Sequence, residues 1–220
     1  MSDENDEGRI KDKLIRSKQD WAKEGRLLTG MPDRDHANRL PPGQKEVKNW
    51  PVLDLGVHPN VQENAWRLTV EGLVDNPLVC SLEEFMALPQ DDFLSDIHCV
   101  TQWSRYDNRW RGVSAQHLMT LVHPKDEAAH VIFHSYDGYT TNVTREVFAA
   151  PNVLLAHSWE GKPLSRDHGG PVRVVIPDWY FWKSAKWVTR IEFAEHDRPG
   201  FWEVRGYHNE GDPWKEERYS

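Results

Sequence analysis

The sequence predicts an α+β domain of mixed, twisted sheets with short helices. Strand-length runs of apolar or alternating character recur between residues 66 and 193. Turn residues separate them, and only short segments between them carry helix-start signals. In chain order, residues 1–30 are charged, with one weak helical stretch over 10–23. They read as a flexible or surface-draped N-terminal arm before a single domain spanning 31–220. Pro32, Pro41, Pro42, Pro51 and Pro59 exclude a long helix from the next thirty residues, which read as extended chain wrapped over the domain. Residues 66–74 alternate apolar and polar side chains and end at Asp75-Asn76-Pro77, a strand and its turn. Ser81 followed by Glu84 is a capping box that opens a short helix through Leu88. Residues 93–100 read as a strand running into a loop that reaches Arg111, and Ser114 starts a second short helix over 115–122. Five strands follow, at 130–134, 139–143, 153–157, 172–176 and 188–193. Glu160-Gly161 closes the third and Pro177 ends the fourth.

The 220 residues suffice for a sizeable core. Lys and Arg number 27 against 35 Asp and Glu, a net charge of −8, which argues against a nucleic-acid partner. No apolar run approaches the roughly 18 residues that span a bilayer, so no membrane partner is expected. Two cysteines, Cys80 and Cys99, are too few for a disulfide scaffold and fit a reducing, cytoplasmic setting. The signals for dinucleotides, nucleotide phosphates and ordinary serine hydrolases (GxGxxG after a strand, a P-loop, GxSxG) do not occur. The 11 tryptophans stand out; such rings fill cores and line ligand clefts alike.

Cys99 sits where a strand meets a loop, in Ile97-His98-Cys99-Val100-Thr101, so it is placed to face a cleft. It reads as a small buried hydrophobe, a nucleophile or a thiolate ligand to a soft metal. Cys80, among apolar residues beside a helix cap, reads as packing. His98, His117, His123, His130 and His134 permit zinc, but without HExxH or CxxC that reading is weak. Arg173 interrupts the apolar run Val172-Arg173-Val174-Val175-Ile176. A buried arginine needs a partner, either a carboxylate of the fold or a ligand phosphate.

Cys99, the string Arg166-Asp167-His168-Gly169-Gly170-Pro171-Val172-Arg173-Val174-Val175-Ile176-Pro177, and Lys186-Trp187 together resemble the molybdopterin-binding domain of the sulfite oxidase family. The resemblance covers residues 66–207 and implies the sulfite-oxidase-type fold. It implies that Cys99 ligates molybdenum beside a pterin dithiolene, and that His168, Arg173, Ser184, Ala185 and Lys186 hold the pterin and its phosphate. Asp137 matches an acidic pterin contact of the sulfite oxidases, and Ser135 a hydroxyl contact in the methionine-sulfoxide reductase branch. Tyr207 matches an active-site tyrosine that donates to the reacting oxygen. The implied cofactor is molybdenum-molybdopterin in its mononucleotide-free form, without haem. The residues after Cys99, Val100-Thr101-Gln102-Trp103-Ser104, are more similar to the reductase branch than to the sulfite oxidases, which carry Ala-Gly-Asn and sulfite-binding arginines there. Arg105, Arg109 and Arg111 either replace those arginines or form a solvated face.

The expected function is therefore a molybdenum-dependent oxidoreductase performing two-electron oxygen-atom transfer on a small oxyanion or an S- or N-oxide. The expected partners are that small substrate and an unidentified electron carrier. With no Ig-like dimerisation domain after the fold, a monomer or weak dimer is expected. Two alternatives stand beside it: a metal-independent hydrolase or transferase using Cys99, and a non-catalytic module that keeps the cofactor site.

Overall fold

The computed structural model describes residues 12–20, 39–56 and 58–220. Its elements are α1 (residues 12–20), β1 (Lys45–Glu46), β2 (Arg67–Gly72), β3 (Leu78–Ser81), α2 (Leu82–Ala87), β4 (Asp91–Cys99), β5 (Trp103–Ser114) and α3 (Ala115–Val122). Then come β6 (His130–Ser135), β7 (Thr140–Thr144), α4 (Arg145–Phe148), β8 (Leu154–Trp159), β9 (Lys162–Pro163), β10 (Arg173–Val175) and β11 (Val188–Ala194). Short 3₁₀ turns lie at Arg166–His168, Phe181–Lys183 and Glu203–Arg205.

The strands form two mixed sheets. One has the order β1-β5-β8-β10, with β4 on β5 and β9 on β8; the other runs β3-β2-β11-β6-β7. Most pairs are antiparallel, but β1–β5 and β2–β11 are parallel. The alternation of side chains explains how one sheet serves two cores. Along β10 and its flanks, Val172, Val174 and Ile176 join a first core with Leu68, Phe133 and Ile191 of the second sheet. Val175 faces the opposite way, into a second core with Trp50, Cys99, Tyr180 and Tyr207. A sheet buried on both faces reads as a continuous apolar run, which is why 172–176 showed no clean alternation. Arg173 points with Val175, toward the second core.

The expected α+β class, the capping box at Ser81 and the strands read from the sequence are present. Ser81 accepts from the Glu84 amide at 3.2 Å while the Glu84 carboxylate accepts from the Ser81 amide at 2.7 Å, so α2 opens on a full capping box. Ser114 caps α3. The expected loop up to Arg111 is wrong. Residues 103–114 form the longest strand, and β4 pairs with it from Asp91↔Gly112 to Cys99↔Trp103. Tyr106, Asn108 and Trp110 are buried while Asp107, Arg109 and Arg111 are exposed, so the period of two is there. The outward arginines and a buried asparagine lowered its apolar content below a strand's. The strand β3 and the one-turn α4 also went unread. Part of the N-terminal arm, α1, is helical and docks on the domain, with Ile15 buried in the second core. Residues 1–11 and 21–30 of that arm lie outside the described residues.

Candidate cofactor site

A cavity opens at the second core. The ends of several elements meet there: the β4–β5 turn, the segment around Trp50 and Asp54, the β6–β7 turn, the 166–168 turn with β10, residues 181–187, and the C-terminal segment. Of the residues singled out in the sequence, Cys99, Asp137, His168, Arg173, Ser184, Lys186 and Tyr207 line it together. Ala185 does not. It packs in the first core, and its carbonyl accepts from the Val174 amide at 2.8 Å. Ser135 is buried on β6 near Asp137, with no hydrogen-bond partner for its hydroxyl among the described residues.

Cys99 ends β4. The Gln102 amide donates to its carbonyl at 3.0 Å, and Gln102 takes the left-handed conformation (φ 66°) that closes this tight hairpin. The Gln44 side-chain amide donates to the same carbonyl at 3.1 Å. The sulfur is thereby held at the cavity wall, 3.1 Å from the Thr101 hydroxyl. Burial pushes its thiol above the usual range, opposed by Thr101 and by the charges of Lys18 and Arg218. His98, next in sequence, bonds Ser104 at 2.8 Å and lies edge-on to Trp214. No histidine among the described residues is hydrogen-bonded to the sulfur, so the cysteine–base pair of a cysteine hydrolase is not formed. Among the described residues, no three or more His, Cys, Asp or Glu side chains converge as a metal cluster, so nothing in the geometry supports the zinc reading. Cys80 packs in the first core.

Arg173 is 2% exposed. Its guanidinium donates to the carbonyls of His168 (2.8 Å), Ser184 (2.8 Å) and Val174 (3.3 Å) and lies over the Phe181 ring at 4.3 Å. No carboxylate pairs with it among the described residues. Burial lowers it to about 9, and the Tyr139 phenol opposes that shift. The Ser184 hydroxyl in turn accepts from the Ile176 amide at 2.9 Å, so Arg173 and Ser184 together fix the two walls that flank β10. Lys186 lines the same space. Its ammonium donates to the Asp167 carbonyl at 2.8 Å, and burial followed by repulsion from Arg173 lowers it to about 7. Gly169, at φ 101°, lets this lysine approach, since a Cβ there would come within 2.9 Å of the Lys186 Cβ. The His168 ring stacks on Trp50 at 3.7 Å, and burial with the two cations lowers it to about 4, so it is neutral near pH 7.

Burial depresses both cations in a largely apolar cavity, Arg173 depresses Lys186 further, and neither has a carboxylate partner among the described residues. An anion in the cavity relieves both. One soft sulfur faces the same space, and an aromatic wall of Trp50, Phe181 and Trp182 is suited to a flat ring. That donor set fits a planar, phosphate-bearing cofactor that takes one protein thiolate.

Tyr207 is buried against Trp182, Trp202 and Tyr219, with centroids 5.1, 4.9 and 5.2 Å away. Its phenol bonds Tyr219, and burial holds it far above the usual range. Arg105, Arg109 and Arg111 do not line the cavity. Arg105 lies over Trp159 at 4.7 Å, Arg109 is exposed, and Arg111 pairs with Asp92 at 2.6 Å. They form the outer face of β5 and do not replace the sulfite-binding arginines. The sequence reading missed Trp50 and Lys18 as wall residues. Trp50 stood in a proline-rich stretch with no periodic signal, and Lys18 in an arm read as mobile.

Comparison with known proteins agrees with this geometry. A family profile described as "Oxidoreductase molybdopterin binding domain" matches residues 55–202. The chain is 45% identical over 187 residues to the "Uncharacterized oxidoreductase YuiH" of Bacillus subtilis (strain 168), covering 84% of this chain and 94% of that one. It is 28% identical over 160 residues to the "Protein-methionine-sulfoxide reductase catalytic subunit MsrP" of Ralstonia nicotianae, covering 66% of this chain and 48% of that protein. Among solved structures, the sulfane dehydrogenase SoxCD of Paracoccus pantotrophus superposes with a TM-score of 0.58 at 22% identity, over 63% of this chain and 40% of that one, a likeness of fold. With the profile spanning the cavity walls from Leu55 to Trp202, this chain belongs to the molybdopterin-binding oxidoreductase family.

Proposed function

We propose that the chain binds molybdenum-molybdopterin in the mononucleotide-free form and carries out two-electron oxygen-atom transfer on a small oxyanion or an S- or N-oxide. The observation that supports this most is Arg173, a buried cation without a carboxylate partner among the described residues, facing the same cavity as Cys99. Arg173 and Lys186 would hold the phosphate, His168 with Trp50 and Asp137 the pterin rings, and Cys99 the metal. When bound, the cofactor supplies the redox chemistry, while the protein supplies position and electrostatics. The apolar walls exclude water. Tyr207 lies at the wall with its proton held, because its raised pKa keeps the phenol neutral as a donor. The electrons pass to or from a separate carrier. The relatives named as methionine-sulfoxide reductases favour the S-oxide class of substrate.

Purification from a host that makes the cofactor tests this. Molybdenum near one atom per folded chain and dye-coupled turnover of an S-oxide are expected. Metal-free protein with thiol-dependent hydrolase activity would overturn the proposal in favour of the cysteine-nucleophile alternative. Loaded but inert protein would leave the binding module.

A further inference from the structure

Helix α1 brings a charged residue into the cavity that the family resemblance does not assign. Ile15 and Lys18 are three residues apart, so they share a helix face, and docking that face for Ile15 carries Lys18 inward. Leu14 lies against Gly56, where even a Cβ would meet its Cδ1 at 2.7 Å. At the other end of the helix the Gln19 side chain donates to the Arg205 carbonyl at 3.2 Å, and Tyr219 donates to the Gln19 carbonyl at 3.2 Å. The helix is therefore fastened on both sides of the opening. Lys18 is 9% exposed and lines the cavity with Cys99. Its ammonium makes no hydrogen bond or ion pair among the described residues. Asp54, the carboxylate that acts on its charge, is already bonded to His58 at 2.6 Å and to the Gly56 amide at 2.7 Å. Lys18 and Asp54 influence each other's charge, and so do Lys18 and Cys99.

A buried cation with no partner, on a face docked by an apolar neighbour, is a costly arrangement unless a ligand completes it. Arg173 and Lys186 already serve the phosphate end in the reading above. Lys18 comes from a separate element and shares the wall with the sulfur. We propose that Lys18 forms an anion subsite beside Cys99 and selects a substrate that carries a negative charge. This deepens the molybdopterin reading and rests on it, because the cofactor must occupy the Arg173 end for Lys18 to be left to the substrate.

The test is a calorimetric titration of sulfate, an inert oxyanion, into the molybdenum-loaded protein, with metal content measured on the same samples. Lys18→Met is expected to weaken sulfate binding by on the order of tenfold to a hundredfold, one lost charge-assisted contact. Lys18→Arg should bind within a few-fold of the parent. Molybdenum per folded chain should be equal in all three. Unchanged sulfate affinity in Lys18→Met overturns the subsite, and so does a parent that binds no sulfate. Molybdenum lost from Lys18→Met with sulfate binding intact assigns the lysine to the cofactor and overturns it too. Should Lys18→Met not fold, Lys18→Gln takes its place with the same expectation. A parent without molybdenum refutes the function proposed above, and the Lys18 contribution is then read in metal-free Arg173→Met, where a sulfate affinity unchanged by Lys18→Met overturns the subsite and a weakened one supports it.

Discussion

Replacing Arg173 by methionine separates a cofactor-binding arginine from a structural one. In the cofactor-free fold burial lowers the guanidinium well below its ordinary value, to about 9, so keeping it charged costs about 5 kcal/mol at neutral pH. Its three donor contacts to the carbonyls of His168, Ser184 and Val174 offset that, at about 1.5–3 kcal/mol each for a charged donor. The opposing effects nearly cancel. Methionine fills much of the same volume, so Arg173→Met should change the stability of the cofactor-free protein by no more than about 2–3 kcal/mol in either direction. Toward the phosphate the balance is one-sided: each charge-assisted bond lost costs about tenfold or more in affinity. Purified from a cofactor-producing host, the variant should melt near the parent's metal-free form and carry at least tenfold less molybdenum and pterin per folded chain. A variant that unfolds while its surviving folded molecules stay fully loaded would refute the reasoning and make Arg173 a strut for the two carbonyl walls.

Gly169→Ala forces a side chain into φ 101° and against the Lys186 Cβ, so it should cost about 1–3 kcal/mol and lower cofactor loading, read by melting and metal content. Tyr207→Phe loses the bond to Tyr219 and should lower stability by about 0.5–1.5 kcal/mol, keep molybdenum at the parent's level and slow S-oxide turnover; unchanged turnover would leave the phenol a packing group. His98 is buried and lowered to about 4 by that burial, against about 6.5 when unfolded, so the unfolded chain takes up its proton first as the pH falls. The stability it contributes is complete above about pH 6.5 and is lost toward pH 4, by up to about 3 kcal/mol. Denaturant melts of metal-free protein at both pH values should show this fall in the parent and a smaller one in His98→Gln.

Much of the fold was legible because local signals and tertiary context agreed. The capping box at Ser81 and the cap at Ser114 are backbone chemistry that a sequence displays directly. The strand β5 was hidden because its outward arginines serve an exposed face while its inward positions include Asn108, and composition alone favours a loop for such a run. Seven cavity residues were named from the sequence: Cys99 and Arg173 because a cysteine at a strand end and an arginine within an apolar run violate the local pattern, and Asp137, His168, Ser184, Lys186 and Tyr207 through the family resemblance. Ala185 and Ser135 stand off the wall, because neighbouring residues in a bend or strand face different sides. Trp50 and Lys18 carry no such violation. A tryptophan in extended chain and a lysine on a short amphipathic helix look ordinary until the chain's return brings them to one opening.

The central claim is that Cys99 is the protein's ligand to a molybdenum-pterin cofactor in this cavity. X-ray absorption at the molybdenum edge, on the parent and on Cys99→Ser, tests it most directly. The account predicts molybdenum in both proteins, since Arg173, Lys186 and His168 remain to hold the pterin, and one sulfur fewer around the metal in Cys99→Ser, with turnover abolished. An identical sulfur shell in the two proteins, or a serine variant that turns over at the parent's rate, would contradict it.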